Sequence, residues 1–199
     1  MEIQSLSVGS MDNNAYLLTD AGEGLLVDAA ADILALLAFI GDTPVSTIVT
    51  THRHHDHIGA LAELAKHTGA VLVAGEPDAA AIESATGVRI DRRVWDGDSV
   101  QVGSTVLDVI GLVGHTPGSI TLAYSPAGEA AQLFTGDSLF PGGVGKTRTP
   151  DEFDSLYTGV VEKLFGRFAD DTVIHPGHGK PATLGEERPH LAEWRARGW

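Results

Sequence analysis

THRHHDHIGA, residues 51–60, places four histidines and one aspartate within seven positions, and the rest of the 199-residue chain holds only five more histidines. Upstream, VSTIVTTH (45–52) is rich in β-branched residues and reads as a strand. Downstream, IGALAELAKHTG (58–69) repeats its apolar residues at helical spacing and ends on glycine. The histidines therefore fall on the loop leaving a strand's carboxyl end, where α/β proteins gather their ligands. Side chains alternate along extended backbone, so His52 and His54 are expected on one side and His55 on the other. Asp56 and His57 are expected at the start of the helix.

The same arrangement recurs further along. The runs 104–115, 130–137 and 171–178 read as strands, and they deliver His115 in GHTPGS, Asp137 in TGDSLF and His178 in HPGHGK. Each tip carries a glycine that lets backbone approach whatever is bound. The candidate ligands are then His52, His54, Asp56, His57, His115, Asp137 and His178. Imidazole and carboxylate without sulfur suit zinc first, then iron or manganese. Seven such groups exceed the needs of one tetrahedral ion and fit two divalent ions sharing a bridging carboxylate. A purely structural zinc site closes with four ligands and often uses cysteine, which this chain lacks, so a catalytic pair is expected.

Further strands are expected at 25–30, 70–75 and 119–124, and helices at 31–42, 77–87, 150–168 and 186–197. Alternating strands and helices without a linker or repeat predict one mixed α/β domain over residues 1–199. No run is long and apolar enough to span a membrane, and the N-terminus MEIQSLSVGS lacks the basic and apolar segments of a secretory signal. The expectation is a cytoplasmic protein acting on a small molecule, with no membrane partner. A net charge of −14 speaks against nucleic acid, whose phosphates it would repel. Composition leaves the oligomeric state open.

THRHHDH resembles the HxHxDH signature of the metallo-β-lactamase-fold hydrolases, and His115, Asp137 and His178 follow in that family's order. The resemblance covers nearly the whole chain and implies an αββα sandwich, with two mixed sheets flanked by helices. It implies that His52, His54 and His115 hold one metal, that Asp56, His57 and His178 hold the other, and that Asp137 bridges them. The implied activity is hydrolysis of a thioester, ester, lactone or amide. A metal lowers the pKa of water from about 15.7 to about 7, so metal-bound hydroxide is the nucleophile, and Asp56 orients it as well as binding metal.

MDNNAYLLTD and TGDSLFPGGVGK are most similar to the glyoxalase II branch, which hydrolyses glutathione thioesters. Those enzymes add a C-terminal helical domain, whereas the residues of this sequence after His178 are expected to form one helix only. Lys146 matches a glutathione-contacting lysine of that branch. Arg148 replaces a neighbouring aromatic, and Gly179 and Lys180 stand where another aromatic is usual. Lys146 and Arg148 are the candidate substrate-binding residues, with Gly142, Gly143 and Gly145 shaping their loop. The same superfamily offers a persulfide dioxygenase with a single iron held by two histidines and one aspartate. That reading needs fewer ligands than this chain supplies. A non-catalytic metal-binding domain is the remaining alternative.

Several features are expected to be structural. His55 and His190 read as solvated, His67 as a favourable charge at a helix end, and His175 as a packed residue. Trp194 and Trp199 read as anchors of the last helix. GVGKT (143–147) is not a phosphate loop, because Phe140 stands where that motif requires glycine.

Overall fold

The computed structural model describes residues 1–198, and Trp199 lies outside them. The chain builds a first sheet from β1 (Glu2–Val8), β2 (Asn13–Asp20), β3 (Glu23–Val27), β4 (Val45–Thr50), β5 (Val71–Gly75) and β6 (Arg92–Val94), paired in that order. The first three strands form an antiparallel meander and the last three add in parallel. Parallel neighbours need crossovers, supplied by α1 (Ile33–Ile40), then α2 (His55–Ile58) with α3 (Leu61–Thr68), then α4 (Glu76–Thr86).

A second sheet of six strands follows. It contains β7 (Ser99–Val102), β8 (Thr105–Gly111), β9 (Ile120–Tyr124) and β10 (Gln132–Gly136). A small hairpin, β11 (Leu139–Phe140) and β12 (Gly143–Val144), stands beside it. After α5 (Pro150–Val160), β13 (Val173–Pro176) pairs in parallel with β10, and β14 (Ala182–Thr183) closes the edge. The chain ends in α6 (Leu184–Glu187) and α7 (Leu191–Arg197).

Period-two alternation sorts neighbouring residues into different layers. Leu17, Leu26, Ile48 and Leu72 pack outward on α1, α3 and α4, whereas Leu18, Leu25, Val49 and Val73 face the second sheet. On that sheet Phe134 faces inward, while Leu133 and Ile174 pack outward against Leu156 of α5 and Trp194 of α7. Three apolar layers between four tiers of structure make the αββα sandwich expected from the sequence. Among the described residues no helix is long and apolar enough to cross a membrane.

Several elements differ from expectation. The helix expected at 58–69 is two pieces, because the chain turns between α2 and α3. A Cβ on Gly59 would come within 2.6 Å of the Ala30 carbonyl, and Ala60 N–H donates to Ala29 at 3.0 Å, so this turn is pressed onto the loop after β3. The helix expected over 150–168 leaves α geometry after Val160 and runs as a π-turn over Val161–Phe165, where Gly166 N–H donates to the Val161 carbonyl. The strands β1 and β2, and the shorter β6, β7, β11, β12 and β14, are absent from the expectation altogether.

Candidate metal centre

All seven candidate ligands converge at one end of the sandwich. His52 and His54 follow β4, His115 follows β8, Asp137 follows β10 and His178 follows β13, so both sheets contribute at the carboxyl ends of their strands. Cross-sheet hydrogen bonds close this end: Ile120 N–H donates to Thr51 at 2.9 Å and Asn14 N–H to Gly177 at 2.8 Å. Two glycines are sterically required. A Cβ on Gly177 would strike Asp137 Oδ1, and one on Gly145 would strike the Asp137 carbonyl.

The candidate ligands fall into two groups, His52, His54, His115 and Asp137, and Asp56, His57 and His178, with the ligand atoms of each group within 4.8 Å of one another. His52 Nε2 and His54 Nδ1 lie 3.1 Å apart. Asp137 Oδ2 is 3.4 Å from His115 Nε2, 3.9 Å from His52 Nε2 and 3.6 Å from His178 Nε2, while its Oδ1 is 3.3 Å from His57 Nε2. His178 Nε2 is 3.3 Å from Asp56 Oδ2. Donors bound about 2.1 Å from a tetrahedral ion sit about 3.4 Å from each other.

Outer hydrogen bonds fix which nitrogen faces inward. His115 Nδ1–H donates to the Lys146 carbonyl at 2.7 Å and His178 Nδ1–H to the Met11 carbonyl at 2.8 Å. His57 Nδ1–H donates to Asp28 Oδ2 at 2.7 Å. The Thr51 hydroxyl gives its proton to Asp28 at 2.8 Å and accepts from His52 Nδ1–H at 3.1 Å. In these four rings the outer bond occupies Nδ1 and aims Nε2 at the cluster, the nitrogen that a metal ligand must present unprotonated. His115 Nε2 and Asp137 Oδ1 are buried without a hydrogen-bond partner, which is costly unless a cation sits beside them. The donor set, its spacing and its orphaned atoms fit a pair of divalent ions.

The electrostatics divide the rings, lowering His52 and His54 and raising His57 and His178 beside the carboxylates. Burial, and then the neighbouring imidazoles, push His52 and His54 below the usual histidine range. Burial also opposes charge on His57, but Asp28 and Asp137 outweigh it and raise His57 to about 10. Burial works against ionising Asp137, yet the imidazoles of His115, His178 and His57 close around it hold it well below the usual carboxylate range. Asp56 is lowered as well: burial opposes this, and the Asn13 amide and His57 overcome it.

Lys146 lines a cleft of about 340 Å³ together with His115, Asp137, Phe140, Val144 and Arg197. Arg148 lies apart from it, in a smaller cleft of about 120 Å³ with Arg53, His54, His115 and Glu152. Sequence reasoning missed Arg197, which reaches from α7 to donate to the Gly142 carbonyl at 2.9 Å. It also missed Asn13, whose Nδ2 donates to Asp56 at 3.0 Å and lies 3.4 Å from both His57 and His178 Nε2. Asp28 and Asp78, both buried carboxylates, were likewise unflagged.

His55 turns away from the cluster, with its side chain 89% exposed. His55→Ala is expected to keep turnover within about threefold of the parent and leave metal content unchanged, because an exposed side chain outside such networks shifts energies by about 0.5 kcal/mol or less. Steady-state kinetics beside metal analysis checks this.

His175 packs on Tyr16 and Phe134, and its Nε2–H donates to Gln132 at 2.7 Å. Burial lowers His175 to about 4, so the folded chain refuses a proton that the unfolded chain takes up below about 6.5. Stability should therefore fall as pH drops from about 6.5 to 4 and then level off, by up to about 3 kcal/mol from this residue. Denaturant melts of the metal-free chain should show a shallower decline for His175→Phe, and parallel declines would contradict the assignment.

The remaining expectations concern exposed residues. His67 lies in the last turn of α3, and His190 sits 3.5 Å from Glu193 at the surface.

A family model described as the Metallo-beta-lactamase superfamily matches residues 8–178. A hydroxyacylglutathione hydrolase of Polaromonas sp. is 34% identical over 170 residues, covering 83% of this chain. The chain spans 62% of that relative's length. Hydroxyacylglutathione hydrolase GloC of Haemophilus influenzae is 29% identical over 206 residues, which cover 94% of this chain and 95% of that protein. Among solved structures, TTHA1623 in a di-iron-bound form superposes with a TM-score of 0.75 at 29% identity, covering 93% of this chain and 96% of that one.

Proposed function

The chain belongs to the metallo-β-lactamase superfamily, and from that membership we propose that it is a dinuclear metal-dependent hydrolase whose substrate is a thioester, a glutathione thioester first among them. The observation that carries this reading is the convergence of seven ligand-bearing side chains whose outer hydrogen bonds aim the free ring nitrogens inward. Likeness to relatives named hydroxyacylglutathione hydrolase supports the acyl substrate.

In this assignment His52, His54 and His115 hold one ion, Asp56, His57 and His178 hold the second, and Asp137 bridges. Zinc suits the donor set, and a neighbour solved in a di-iron-bound form supports iron as an alternative. Bound ions of this kind bring the pKa of water near neutrality and polarise the carbonyl under attack.

The protein's own groups do the rest. Asp56 is kept ionised by the Asn13 amide at its Oδ2, the oxygen that faces His57 and His178 and from which it would hold the second ion and orient the attacking water. Phe140 and Val144 give the Lys146 cleft an apolar wall, and Phe140 lies 6.3 Å from the His178 ring. Lys146 forms no ion pair with a carboxylate among the described residues, so its ammonium is free to hold a substrate carboxylate. Such a contact serves ground and transition states alike and acts mainly on KM. Lys146→Ala is expected to raise KM for a glutathione thioester by about 10- to 150-fold, the equivalent of about 1.5–3 kcal/mol, with kcat little changed. A neutral lactone of similar size should be nearly indifferent. Equal effects on both substrates would make Lys146 a loop-shaping residue.

The proposal is tested by steady-state turnover of a panel of glutathione thioesters, neutral thioesters, lactones and β-lactams, using protein purified without chelator. Hydrolysis of the glutathione thioesters at the highest kcat/KM is expected. Oxygen consumption with a persulfide, and no hydrolysis, would favour a mononuclear iron oxidoreductase instead.

A further inference from the structure

Asp78 is fully buried and is not one of the seven candidate ligands. It stands in the first turn of α4, a helix that carries none of those ligands. Burying a carboxylate is expensive unless its oxygens are well hydrogen-bonded. Asp78 Oδ2 accepts from the Arg53 backbone N–H at 3.1 Å and from the Thr116 hydroxyl at 2.6 Å, and Oδ1 accepts from Gly118 N–H at 3.0 Å. The Arg53 guanidinium adds an ion pair, with Nε 3.7 Å from Oδ1. A Cβ on Gly118 would collide with the Asp78 backbone, so glycine there is what allows the loop to come this close.

The identity of these donors is the informative point. Arg53 lies between His52 and His54, and Thr116 directly follows His115. One carboxylate therefore joins the two loops that carry the three histidines of the first site. A second buried carboxylate, Asp28, holds the His57 ring directly and supports His52 only through Thr51. We propose that Asp78 is the positioning residue of the first metal site, setting the spacing of His52, His54 and His115 by clamping their two loops together. Its effect should be larger at that site, because its donors adjoin His52, His54 and His115 in sequence, whereas Asp56 and His57 lie on the turn α2 that follows and His178 on a segment Asp78 does not bond among the described residues.

This inference rests on the dinuclear reading, and the experiment separates the two. Zinc affinity is measured by competition with a chromophoric chelator in two backgrounds. His178→Ala leaves the first site to be filled, and His54→Ala leaves the second. Adding Asp78→Asn is expected to weaken zinc by about 10- to 100-fold in the His178→Ala background and by less than about threefold in the His54→Ala background. If Asp78→Asn prevents folding, Thr116→Val removes the hydroxyl from one loop only and should weaken zinc in the same background by a smaller factor. Equal weakening in both backgrounds, or a lower Tm with unchanged affinity in both, would show a general structural role and overturn the proposal. A parent chain that takes up no zinc would overturn the hydrolase reading and this one together. Binding by the parent with no difference between the backgrounds overturns only the role given to Asp78.

Discussion

Asp137→Ala is expected to lower kcat/KM by at least about 10³-fold, the equivalent of about 4 kcal/mol in transition-state stabilisation. The two carboxylate oxygens of Asp137 lie within 3.9 Å of ring nitrogens from His52, His57, His115 and His178, so its removal withdraws negative charge from both candidate sites at once. Four imidazoles would then face each other around a void. Metal content after desalting should fall below one ion per chain, and the metal-free fold should persist, because Leu133 and Phe134, the strand residues leading to Asp137, remain in their apolar layers. Mass spectrometry and kinetics on the same preparation check both parts. Retention of two ions with parental turnover would show that Asp137 bridges nothing.

Asp28→Asn should produce the next largest loss, through a residue that touches no substrate. Asp28 is buried at 1% exposure and accepts from Thr51 N–H at 2.7 Å, the Thr51 hydroxyl at 2.8 Å and His57 Nδ1–H at 2.7 Å. An asparagine offers one acceptor oxygen, and its NH₂ faces groups that are themselves donors. At least one donor is then unsatisfied, which costs about 1–3 kcal/mol of stability. His57 also loses the partner that holds its Nε2 toward the cluster, so affinity for the second ion should drop about 10- to 100-fold. A reduced Tm in the metal-free state together with selective loss of one ion is the expected pattern. An unchanged Tm and full metal retention would contradict it.

The difference between Asp137 and Asp28 also shows what sequence could reveal. Asp137, His115 and His178 each end a strand-like run and sit beside glycine, so their placement follows from local pattern alone. Asp28 lies within the run read as a strand at 25–30, and its partner His57 is 29 positions away. Only the fold distinguishes a carboxylate buried against an imidazole from one dissolved in water. Asp78 is harder still, since it sits at a helix start where a solvated acid is the ordinary occupant, and its partners are the loop residues Arg53, Thr116 and Gly118.

The strands that went unread have related causes. Nearly all of β2 is buried, so NNAYLLTD lacks the alternation that marks a half-exposed strand, while β1 is an edge strand with most of its residues at least partly exposed. Yet β2 begins with Asn13, which donates to Asp56, so the least legible part of the fold also supplies a contact to the site. His55 shows the opposite case. Its exposure follows from alternation past β4 although the helical turn begins at His55 itself, three residues earlier than the periodicity of Ile58 indicated.

The most direct measurement is a titration of zinc into the metal-free chain while hydrolysis of a glutathione thioester is followed at saturating substrate. Activity is expected to climb until two equivalents are bound and then stay level, as seven converging ligand-bearing side chains require. Full activity reached at one equivalent, or no hydrolysis at any loading, would contradict a dinuclear hydrolase.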